Sequence, residues 1–137
     1  MNNFELTPLK NNKIPTNIQE LLTEDLKNYI IIKDGHIIKR SLSEEFNKIY
    51  VDSYEDAVPK KLEVFLDTEF CNEYTDDAYN YNAENANSGL LIHVPKNTYI
   101  TVPIHIFYIQ ENVDLVNNTR IVLEANSELN YFEYLYN

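Results

Sequence analysis

His93 and His105 lie inside the apolar runs between Gly89 and Ile109, which makes them the first candidates for chemistry. Imidazole nitrogen is a common metal ligand, and stacked neighbouring strands would bring two such rings together. Two histidines without a third ligand are a thin metal site. The competing expectation is that each points outward or hydrogen-bonds in a partly buried niche. Glu69, Asp76 and Asp77 have the functional group for acid–base work, but no nucleophile or convergent partner accompanies them. A solvated acidic face is the expectation for these three. Cys71 is the one cysteine, so it has no internal disulfide partner, and its acidic, tyrosine-rich surroundings offer no cation to lower its pKa. An idle thiol is expected. The two glycines, Gly35 and Gly89, stand apart and cannot form a glycine-rich phosphate loop. The sequence therefore assigns no catalytic, cofactor-binding or metal-binding residue, and no cofactor is expected.

The stretch from Gly89 to Ile109 is built of two β-branched and aromatic runs, divided by Pro95-Lys96-Asn97 and interrupted by Pro103. Such runs read as strands, and the one after Gly89 is apolar at nearly every position, so both its faces should lose water. With glycine scarce, turns that need a left-handed residue fall to asparagine. Asn87, Asn97, Asn112, Asn118 and Asn126 all stand between apolar runs, where such a residue is wanted.

A chain of 137 residues, 44% of them hydrophobic, is the size of one domain with a modest core. Lysine and arginine number 11 against 22 acidic residues, a formal net charge of −11. That balance repels phosphate backbones and anionic lipid and argues against nucleic-acid and membrane-surface binding. No apolar run approaches the length of about 20 residues that crosses a bilayer. Met1 to Lys10 shows no signal-peptide pattern. A cytoplasmic location is the expectation.

Toward the start, Thr16 or Asn17 is expected to cap a helix carrying Ile18, Leu21, Leu22 and Leu26 on one face. Tyr29 to Lys33 and His36 to Lys39 flank Asp34-Gly35, a strong hairpin signal. His36, just past that turn, is expected to be exposed. Asn47 to Val51 is read as a short strand, and Asp52 to Ala57 as a capped helical turn. A helix with Leu62, Phe65 and Leu66 on one face should follow Pro59, and another should cover Asp76 to Ala86.

After Gly89 the turn signals recur closely, as in a sandwich, a barrel or a β-solenoid. A weak internal repeat bears on the choice. Ile92 to Val102 aligns without a gap on Ile121 to Tyr131, at an offset of roughly 29 residues, within the range of solenoid repeats. Asn97 meets Asn126 and Thr98 meets Ser127. Each copy would be a strand, a polar corner and a second strand, with identical corners stacked. A stack that ends after two copies leaves an open edge, and Tyr131, Phe132, Tyr134, Leu135 and Tyr136 would present interface-like surface there. Self-association through that end, or docking to a partner's layers, is the expected consequence.

The stretch Asp77 to Asn137 resembles the SufB/SufD family of iron–sulphur cluster assembly proteins. The resemblance is carried by Tyr79 to Gly89, the apolar run, Val94-Pro95-Lys96-Asn97, Val102-Pro103-Ile104-His105 and Thr119 to Leu129. Upstream, Tyr29 to Ile38 is similar to the hairpin before that core, and Asp52 to Ala57 to the segment following the hairpin. The resemblance implies an α+β, mainly β fold: a small N-terminal helix and hairpin region over 1–76, then the first coils of a right-handed parallel β-helix over 77–137, packed as one unit. It implies a non-catalytic, SufD-like scaffold or adaptor, working with a SufB/SufD-like subunit and a SufC-like ATPase. Family members are much longer. Their cluster-building and ATPase-docking regions lie farther along and match no position here, and Cys71 matches no functional cysteine. Two other readings stand beside this one: a small β-sandwich or jelly-roll binding module, and a cupin-like metalloprotein using His93, His105 and a carboxylate.

Overall fold

The structure, a computed structural model, describes residues 8–22, 26–57, 89–111 and 119–136. A short helix, α1 (Thr16–Leu21), precedes a hairpin of β1 (Tyr29–Lys33) and β2 (His36–Ser41). A 3₁₀ turn over Glu44–Lys48 leads into β3 (Tyr50–Ser53). Four more strands follow: β4 (Leu90–Val94), β5 (Tyr99–Ile109), β6 (Arg120–Leu123) and β7 (Glu128–Tyr136). The expected 76/77 division and the helices expected after Pro59 and over Asp76 to Ala86 lie outside the described residues.

The strands form two mixed sheets, ordered β2-β1-β5-β7 and β3-β4-β6. The fold is mainly β, with little helix. A right-handed parallel β-helix is not what these sheets make: both are small, and each carries an antiparallel member, β2 on β1 and β3 on β4. The antiparallel member of the first sheet has a local cause. Asp34 and Gly35 take φ of 48° and 91°, the left-handed pair that a two-residue hairpin demands, so β2 folds straight back on β1.

Within the sheets, the two copies of the repeat do run side by side. β4 pairs in parallel with β6, placing Ile92 beside Ile121 and Val94 beside Leu123. β5 pairs in parallel with β7, starting with Tyr99 beside Glu128 and Ile100 beside Leu129. At each corner an asparagine takes the left-handed conformation, Asn97 at φ 61° and Asn126 at φ 59°. Asn126 Nδ2 donates to Asn97 Oδ1 at 2.9 Å, across 29 residues of sequence. The Asn97 amide donates to the Ala125 carbonyl at 3.0 Å, and the Tyr99 hydroxyl donates to Asn126 Oδ1. Replacing Asn126 with alanine should cost about 1–2 kcal/mol, because a Cβ without a local polar partner is strained in this region. Glycine at 126 should recover the backbone share of that loss and not the hydrogen-bond share. Thermal unfolding of the two variants measures both.

Past the corner, β5 carries an irregularity: Ile100 opposes Leu129, but Ile104 opposes Tyr131. The extra residues include Pro103, which has no amide to give to a ladder. Asn130 Nδ2 makes up for the break by donating to the Thr101 carbonyl at 3.1 Å.

The main core lies between the sheets and includes Ile30, Ile32, Leu90, Ile92, Ile104 and Ile106. A second cluster occupies the opposite face of the first sheet, where Ile18 of α1 covers Tyr29, Ile31, Phe107 and Ile109. Having apolar cover on both faces explains why all five residues of β1 are buried and why Tyr29 to Lys33 does not alternate in sequence. The same holds for β4, where Leu90, Leu91, Ile92 and Val94 are all fully buried, as the sequence led us to expect.

Several local expectations are corrected. The helix cap is Pro15, whose carbonyl accepts the amides of Ile18 and Gln19; neither Thr16 nor Asn17 caps it. Pro15 itself is extended, with ψ of 144°, as an N-cap residue is. The helix stops at Leu21, so Leu26 is not on it. Asn47 and Lys48 belong to the 3₁₀ turn, and the strand runs from Tyr50 to Ser53. Asp52 and Ser53 are therefore strand, and a turn follows in which Ser53 Oγ accepts the Asp56 amide at 3.1 Å.

Candidate functional site at the open sheet edges

Among the described residues, β6 and β7 are the last strands of their sheets. Their side chains repeat the pattern of the layer beneath. Ile121 and Leu123 sit in register with the fully buried Ile92 and Val94, yet they are 38% and 51% exposed. On β7, Phe132 is 51% and Leu135 73% exposed. These values mark a core pattern left half-covered at one end of the molecule.

On the outer face of the first sheet, aromatic rings continue across the strands. Phe107 stacks on Tyr134 with ring centres 4.6 Å apart and planes 13° apart. His105 stacks on Phe132 at 5.3 Å, and its Nδ1 lies 2.9 Å from the Tyr134 hydroxyl. Partial burial pulls the His105 imidazole below its ordinary pKa by desolvating the charged form. On the inner face, Tyr108 meets the Thr119 hydroxyl and lies in hydrogen-bond reach of Tyr131, which donates to Glu133 Oε1 at 3.1 Å.

Burial is the main reason the Tyr108 phenol is pushed up to about 12; the Thr119 hydrogen bond opposes it and the Glu133 charge adds to it. Tyr131 is held well above the ordinary tyrosine range, first by burial and then by Tyr108 and Glu133. A raised phenol pKa favours the protonated, folded form. The contribution is complete below the unfolded pKa of about 10 and is lost as pH rises through the folded value. Urea unfolding should therefore show stability falling steeply from pH 10 to pH 12, and Tyr108→Phe should flatten that fall.

The two sequence-predicted histidines are not brought together. His93 is on β4, beside Tyr50 and Val122, with its Nε2 against Glu124 Oε2. His105 is on β5, in the other sheet. No group of three metal-ligating side chains occurs among the described residues. Each ring instead fills a partly buried, hydrogen-bonded niche. His36 departs from expectation: its side chain is 18% exposed, and its Nδ1 lies 3.2 Å from Glu55 Oε1. Glu69, Cys71, Asp76 and Asp77 lie outside the described residues.

One feature was missed in sequence. Lys33 is fully buried, its Nζ donating to Asn11 Oδ1 at 2.6 Å and the Lys13 carbonyl at 2.8 Å, with Glu111 Oε2 at 3.4 Å. It fastens the segment before α1 to the sheet. Its place at the end of an otherwise apolar run was the available signal.

No helix among the described residues is long and apolar enough to cross a membrane. What this arrangement offers chemically is main-chain pairing and apolar contact along the β6 and β7 edges. The chain matches no protein-family model, no curated protein and no solved structure.

Proposed function

We propose that the chain is a non-catalytic scaffold or adaptor of cytoplasmic iron–sulphur cluster assembly, SufD-like in kind. Its partners in this reading are a SufB/SufD-like subunit and a SufC-like ATPase. The observation that supports it is the parallel layering of the repeat, β4 on β6 and β5 on β7, with Asn97 over Asn126 at the corner. The test is co-purification from the native source under conditions that retain the assembly proteins. Recovery of the ATPase and the SufB/SufD-like subunit in constant ratio is expected. Recovery of neither, from a lysate containing both, would overturn the reading.

The antiparallel members β2 and β3 favour a second reading, a small two-sheet module that binds a carbohydrate or peptide. Glycan and peptide arrays probed with the purified chain distinguish it, since a scaffold is expected to leave them blank.

A further inference from the structure

We infer that β7 pairs with β7 of a second copy of this chain, antiparallel about a two-fold axis at Phe132. This rests on the edge of β7 and stands or falls apart from the iron–sulphur reading. Among the described residues β7 is an edge strand of nine residues, and such an edge offers a row of main-chain donors and acceptors. Which groups it offers is fixed by the inner side. Glu128 donates its amide to the Thr98 carbonyl at 3.0 Å, and the Tyr136 carbonyl accepts the Gln110 amide at 2.9 Å. Main-chain groups alternate sides along a strand. Those of Leu129, Tyr131, Glu133 and Leu135 therefore face away from β5.

In an antiparallel pair these outward residues must face one another, which restricts the register. A centre on Glu133 sets carboxylate against carboxylate, and a centre on Tyr131 sets Leu129 against Glu133. Both are unfavourable, the first by like-charge repulsion and the second by burying a charge on an apolar partner. A centre on Phe132 sets Leu129 against Leu135 and Tyr131 against Glu133, and it brings the two Phe132 rings together. Tyr131 already donates to Glu133 within its own chain, so the cross-pair reproduces a contact these groups make. The register also covers Leu135, the most exposed large hydrophobic side chain described. A two-fold pair of this kind closes on itself, whereas parallel stacking of identical copies would run on without end.

Sedimentation equilibrium of the purified chain at tens of micromolar should give a dimer. Glu133→Pro removes one outward amide and leaves the bonds to β5 intact; it should give a monomer with an unchanged circular dichroism spectrum. In a Cys71→Ser background, Phe132→Cys should cross-link under mild oxidation, because the facing Cα atoms of a non-hydrogen-bonded pair lie about 4.5 Å apart. Leu135→Cys faces Leu129 in this register and should cross-link roughly tenfold more slowly. A monomeric wild-type chain, or equal cross-linking at 132 and 135, would overturn the inference.

Discussion

Phe107→Ala should lower the free energy of unfolding by about 3–5 kcal/mol, a large share of the 5–15 kcal/mol typical of a domain this size. The ring is 1% exposed and stands in the third strand of the four-stranded sheet. In register it lies between Ile31 of β1 and Tyr134 of β7. It also belongs to the cluster that Ile18 of α1 completes. Truncation therefore opens a cavity touched by three elements, and it removes the stack on Tyr134 as well. Leu135→Ala, at 73% exposure, is the internal control and should change the monomer's stability by less than about 0.5 kcal/mol. Urea midpoints for the two variants, measured under monomeric conditions, test the contrast.

The second large effect concerns Lys33, where the order of severity is opposite to intuition. Removing an acceptor should do more harm than removing the lysine. Asn11→Ala leaves the ammonium buried with a lost partner, which costs about 1–3 kcal/mol. Lys33→Met removes the charge and its desolvation together, and the replacement is apolar and of similar length. Global stability should then change by no more than about 1 kcal/mol. What Lys33→Met does lose is the fastening of the chain before α1. Trypsin should cut after Lys13 roughly tenfold faster in this variant, because cleavage follows the population of the locally opened form. A global destabilisation by Lys33→Met larger than that of Asn11→Ala would contradict the assignment of Lys33 as a fastener.

The parts of this fold legible in sequence are those fixed by local backbone demands. Asp34-Gly35 specified its hairpin because few dipeptides tolerate two left-handed residues. Asn97 and Asn126 were legible as corners for the same reason, and their equal spacing from the flanking strands placed Ile92 beside Ile121. What failed depended on partners far away in sequence. The helix cap is the local exception: Pro15 stands directly before Thr16, and its carbonyl accepts the amides of Ile18 and Gln19. His36 was read as exposed, but Glu55 folds back beside it. Lys33 resembled any solvated lysine at a strand end, since Asn11 and Glu111 approach it from opposite ends of the chain. At the candidate edge, the apolar tyrosine-rich character of Tyr131 to Tyr136 was plain. Which main-chain groups face outward was not, because that depends on the Glu128–Thr98 and Gln110–Tyr136 hydrogen bonds.

The scaffold reading and the open edge both presuppose that the two copies of the repeat lie side by side in the same direction. Cross-strand proton contacts in a nitrogen-resolved nuclear Overhauser spectrum measure this directly. Contacts from α-protons to amides are expected to link Ile92 with the neighbourhood of Ile121, and Ile100 with that of Leu129. Close α-proton to α-proton contacts between β4 and β6, the signature of antiparallel strands, would contradict it.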